Sequence, residues 1–116
     1  MDPGRALADL LEISPQLQAA ALLAGDGEVA GSVGVPEARA GVLGRAVREL
    51  LEAAAFRAEG HVTQVHAELD DGDVFAVVGH GARTIVAVAS GRPAPGLVFY
   101  DLKRCLARLE QADVEA

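Results

Sequence analysis

Residues 36–59 read PEARAGVLGRAVRELLEAAAFRAE, the longest helical pattern in the chain. Wound at about 100° per residue, this stretch gathers Arg45, Arg48, Glu49, Glu52 and Glu59 on one side. The rest of the circumference carries Val42, Leu43, Gly44, Ala46, Val47, Leu50, Leu51, Ala54, Ala55 and Ala58, interrupted by Arg39 and Arg57 near the two ends. A stripe about 100° wide is enough to cover a sheet, and this apolar arc is about twice that. The spacing therefore predicts a helix with two contacts to make, one on its own sheet and one on a partner.

Working outward, the helix separates a two-strand unit from a three-strand unit. Upstream, Asp2 and Pro3 open a first helix whose Leu7, Leu10 and Leu11 recur on one face. Ser14 before Pro15 ends that helix near Ile13, because a residue preceding proline avoids the α region. Leu17 to Leu23 and Glu28 to Gly34 then read as strands joined by the turn Gly25-Asp26-Gly27.

Pro36 and Glu37 open the long helix and Gly60 closes it. Downstream, His61 to Leu69 reads as a strand with one wet face carrying Gln64, His66 and Glu68. Asp70-Asp71-Gly72-Asp73 reads as a solvated turn. Val74 to Val78 and Thr84 to Ala89 are continuous apolar runs, most simply strands covered on both faces. A last helix after Pro95 and Gly96 presents Val98, Leu102, Cys105, Leu106 and Leu109 on one side, and the polar tail 111–116 is expected to fray.

The order is α-ββ-α-βββ-α, and doubly covered strands require helices on both sides, hence a three-layer α/β/α sandwich of the α+β class. The strands with a polar face, the second and third, belong at the edges. An uncovered edge invites a partner strand. His61 to Leu69 has no proline and is the better candidate for pairing across a dimer.

The 116 residues suit one domain, with a core over about 4–110. A net charge of −7 argues against nucleic acid and against an anionic membrane surface. The N-terminus lacks the cationic lead-in of a signal peptide, and Cys105 is the single cysteine, so a cytoplasmic setting is expected. Catalytic chemistry finds no support. There is no GxxxxGK[ST] phosphate loop and no Gly-x-Ser-x-Gly elbow. His61 and His66 point to opposite faces of one strand, and His80 lies in the turn Gly79-His80-Gly81, so the histidines read as surface residues and no metal is expected. Glu68, Asp70, Asp71 and Asp73 lack the spacing of a calcium loop. The residues describe a protein without cofactor or catalytic group that works by contact.

The segments LQAAALLAGDGEVAGSVG (17–34) and HVTQVHAELDDGDVFAVVGHGARTIVAVA (61–89), with the long helix between them, resemble the roadblock (dynein light chain) family. Profilin-like folds are looser structural relatives. The resemblance spans roughly Leu7 to Ala89. It implies a five-stranded antiparallel sheet with the long helix on one face and the terminal helices on the other. It also implies a homodimer that joins edge strands and sets the long helices side by side. Bacterial members regulate a small Ras-like GTPase and do not hydrolyse nucleotide themselves. The expected dimer contacts are Gly44, Val47, Leu51, Ala55, His61, Thr63, Val65 and Ala67, and the expected partner-binding ridge is Arg45, Arg48, Glu49 and Glu52. A scaffold role without effect on GTP turnover, and a small-ligand sensor using room beside Ala19, Ala20 and Ala21, are the alternatives.

Overall fold

Strand sequence alternation and the hairpin turns decide the architecture. The computed structural model describes residues 2–58 and 61–115. In chain order the elements are α1 (Pro3–Ile13), β1 (Leu17–Leu23), β2 (Val29–Val33), α2 (Glu37–Ala58), β3 (Gln64–Leu69), β4 (Gly72–Val78), β5 (Thr84–Ala89) and α3 (Pro95–Glu115). The strands form one antiparallel sheet in the order β2-β1-β5-β4-β3, so the two strands with a polar face are indeed the edges.

Side chains leave the sheet alternately on its two sides, and each side meets a different helix layer. On one side Leu22, Phe75, Ile85 and Ala87 pack with Leu7 and Leu10 of α1 and with Leu102, Leu106 and Leu109 of α3. On the other, Leu23, Ala76 and Val86 pack with Val47 of α2. The layers are unequal because α1 and α3 supply leucines, whereas the residues α2 buries are Ala40, Gly44 and Val47. Arg108 and Asp9, 3.8 Å apart, link the outer surfaces of α3 and α1. Among the described residues no helix is long and apolar enough to cross a membrane.

Several boundaries differ from the sequence reading. Asp2 occupies the cap position of α1, but its side chain makes no capping bond; its carbonyl accepts from Ala6 N–H at 3.1 Å. β3 begins at Gln64 rather than His61, although Thr63 C=O still accepts from Val78 N–H at 2.9 Å. The last helix continues to Glu115, since residues 111–115 contain neither glycine nor proline to stop it. The expected closure of α2 at Gly60 lies outside the described residues. The turn Gly79-His80-Gly81 becomes a single 3₁₀ turn, His80–Ala82, whose His80 N–H donates to Glu110 of α3 at 2.9 Å.

The largest correction concerns the β3–β4 hairpin. Its turn is two residues, Asp70 and Asp71, not four, so β4 starts at Gly72 and Glu68 stands directly opposite Asp73. Asp73 is consequently buried, and His66 is half-buried rather than a surface histidine. The imidazole Nε2 lies 2.7 Å from Asp73 Oδ2, and the ring stacks on Phe75 with centroids 4.3 Å apart and planes 8° from parallel.

Candidate interaction surface

The long helix α2 turns three different faces to its surroundings. Its inner face carries Ala40, Gly44 and Val47, with Leu43, Leu51, Ala54 and Ala55 half-buried beside them. Gly44 sits over β1, where a Cβ on it would come within 2.7 Å of Leu23 Cδ2. Two of the residues expected at a dimer contact, Gly44 and Val47, therefore belong to this chain's own core. The reason is that the small-residue strip of α2 is what lets the helix lie close to the leucine of β1.

The second face is apolar and bare. Val42, Ala46, Leu50 and Ala53 follow one another at spacings of four, four and three, which keeps them on one flank of a helix. All four are exposed, Val42 by 63 % and Leu50 by 42 %, and Phe56, exposed by 88 %, borders the flank from the charged side of the helix. The sheet beneath is also incompletely covered: Val65 and Ala67 of β3, Val74 of β4 and Val88 of β5 remain half-buried on the α2 side. Leu51 and Ala55 line a groove of about 230 Å³ that runs between α2 and the strand ends, with His61 and Val62 on its opposite wall. Of the expected edge contacts, His61 and Thr63 are exposed and lie in the irregular stretch before β3.

The third face is the charged ridge. Arg45, Arg48, Glu49 and Glu52 do come together, and they form one wall of a cavity of about 420 Å³. Its other wall is the β1–β2 turn, with Asp26, Gly27 and Glu28. The side chain of Asp26 shapes that turn by accepting from Glu28 N–H at 3.0 Å. Gly27 has φ of 91°, and a Cβ there would collide with the Arg48 guanidinium. The two walls thus carry four carboxylates and two guanidiniums.

Sequence reading missed Asp26 and Glu28, whose turn was legible only as a turn, and Phe56. The signal for Phe56 was present: a large aromatic on the charged side of a helical wheel has no place in its own core.

The geometry can be set beside known proteins. A Roadblock/LC7 domain from Streptomyces avermitilis superposes with a TM-score of 0.86, covering 98 % of this chain and 99 % of that one at 20 % identity. This is the roadblock fold. MglB of Myxococcus xanthus matches with a TM-score of 0.77 over 98 % of this chain and 89 % of its own, at 14 % identity. The gliding protein MglB of Thermus thermophilus matches with a TM-score of 0.70 over 100 % of this chain and 94 % of its own, at 16 % identity. No protein-family model and no curated protein sequence matches the chain. The five-stranded antiparallel sheet and the order α-ββ-α-βββ-α agree with the fold expected from the roadblock resemblance.

Proposed function

We propose that this chain acts by contact, as a homodimer that binds a small Ras-like GTPase and modulates its GTP hydrolysis. One observation carries the reading: α2 leaves an apolar flank bare beside a ridge of charge. The flank fits a second copy of α2, which would also cover Val65, Ala67 and Val74 on the half-covered sheet. Leu51, Ala55 and His61, also expected at the contact, line the groove on the opposite side of α2 from this flank.

Magnitudes support a dimer that needs more than the flank alone. Burying Val42, Leu50 and Phe56 on both copies is worth on the order of 10 kcal/mol, at about 1.5–3 kcal/mol per side chain. Loss of translational and rotational freedom costs about 4–15 kcal/mol. Pairing along β3 and closure over the sheet supply the surplus.

The ridge is the surface left for the GTPase. Arg45 and Arg48 face acidic groups of the partner, while Glu49 and Glu52, with Asp26 and Glu28 across the cavity, face basic ones. Such a pattern favours specificity and rapid encounter over raw affinity. The protein contributes no catalytic group, and its buried free Cys105 fits a reducing cytoplasm.

Single-turnover GTP hydrolysis by small Ras-like GTPases of the same genome, with and without the protein, is the test. A changed rate that is lost in Arg48→Glu supports regulation. A complex with an unchanged rate contradicts regulation, and the absence of any complex contradicts GTPase binding and favours a scaffold for a different partner.

A further inference from the structure

The β3–β4 hairpin brings together side chains that the contact function does not use. His66 and Glu68 are two residues apart on β3 and so share a sheet face. Asp73 stands opposite Glu68 in the register, on that same face. One donor atom from each of the three lies within 4.8 Å of the others. The geometry points to a divalent transition-metal site, taking zinc or a first-row neighbour through His66 Nε2, a Glu68 oxygen and an Asp73 oxygen.

The donor set argues for that class of ion. Two carboxylates and one imidazole balance a divalent charge. The imidazole favours zinc, nickel, copper or iron over calcium and magnesium, which take six or more oxygen ligands or keep a shell of water. Zinc bonds of about 2.0–2.2 Å at a tetrahedral angle put the ligand atoms roughly 3.3–3.5 Å apart. Imidazole and carboxylate must therefore open slightly from 2.7 Å, and the Glu68 carboxylate must close in. Glu68 is exposed and has the rotatable bonds to do so.

The rest of the site is already built. The imidazole is held flat against Phe75, which is itself packed edge-on by Phe99 at 5.3 Å. Ligand orientation fixed by packing is what raises the affinity of a three-donor site. In front of the donors lies a cavity of about 250 Å³, closed by Leu69, Pro93 and Pro95, which leaves room for a water or an incoming fourth ligand. Arg92 also lines that cavity and sets one positive charge against the two carboxylates. The simpler account, a hydrogen bond that pins the hairpin, explains His66 and Asp73 but gives Glu68 no part.

The full-length protein, stripped with a chelator, would be titrated with zinc by calorimetry and with cobalt(II) by visible absorption. The expected result is one ion per chain, with cobalt bands characteristic of nitrogen and oxygen ligands. Affinity should fall on the order of tenfold or more in Glu68→Gln and further in His66→Gln, while His61→Gln and His80→Gln bind as the parent does. Glu68→Gln alters an exposed side chain, so far-ultraviolet circular dichroism should show it folded and its loss of affinity is then a ligand effect. An absence of binding, or binding that survives Glu68→Gln or follows His61 or His80 instead, would overturn the site.

Discussion

Gly44 of α2 lies against Leu23 of β1, so closely that a Cβ on the glycine would come within 2.7 Å of Leu23 Cδ2 and 2.9 Å of Cδ1. The Leu23 side chain already fills the gap between helix and strand, so a side chain at position 44 would have to displace it. Gly44→Leu should therefore destabilise the fold itself, by about 1–3 kcal/mol as overpacking of a filled core does. Urea unfolding measures this. A variant as stable as the parent would show that α2 can lift from the sheet without cost.

That contact also separates what was legible in the sequence from what was not. The 22-residue helical pattern of α2 and the two-residue periodicity of the strands depend on local spacing, and they place every element in order. The excess apolar arc of α2 was equally legible, as a helix with two contacts. Which part of the arc faces inward was not, because that depends on Leu23, a residue 21 positions upstream whose approach selects the glycine face. The same holds for Asp73: shortening a turn from four residues to two shifts the register and carries a carboxylate from solvent into the protein.

His66 should matter to stability beyond its hairpin. Truncating it to alanine removes both the stack on Phe75 and the hydrogen bond to Asp73, leaving a buried carboxylate without its imidazole. A loss of about 1–3 kcal/mol is expected for the orphaned polar group. Thermal unfolding of His66→Ala in chelator-treated buffer checks it, and an unchanged Tm would show that water replaces the imidazole at no cost.

Cys105 should be slow to react while the protein is folded. Burial pushes its thiol above the ordinary value of 9.0, opposed in part by Arg108 and reinforced by Asp9. Since the thiolate is the reactive form, labelling by a thiol reagent should proceed slowly in buffer and promptly in denaturant. The linkage sign follows from the same shift. As pH rises past 9.0 the unfolded thiol ionises first, so the unfolded chain binds fewer protons and stability falls until the folded thiol also titrates. Below that window the contribution is fully present. Cys105→Ala should remove this part of the alkaline loss, and an identical alkaline profile in the variant would contradict it.

Reversing a charge on the ridge should separate partner binding from self-association. Arg48 packs over Gly27 and lines the cavity opposite Asp26, away from the Val42–Leu50 flank. Arg48→Glu should weaken GTPase binding by roughly tenfold or more, as like charges meet across a recognition surface, and leave the protein's own mass in solution unchanged. Parallel light scattering and binding measurements distinguish the two effects. A fall in mass would place Arg48 in the dimer contact.

The central claim is that the bare flank of α2 is a contact between two copies of this chain. Multi-angle light scattering across a dilution series tests it most directly. The account predicts a mass of twice 11.9 kDa for the parent and 11.9 kDa for the folded double variant Leu50→Glu/Phe56→Glu. A parent that remains at 11.9 kDa at every concentration, or a double variant that keeps the doubled mass, would contradict it.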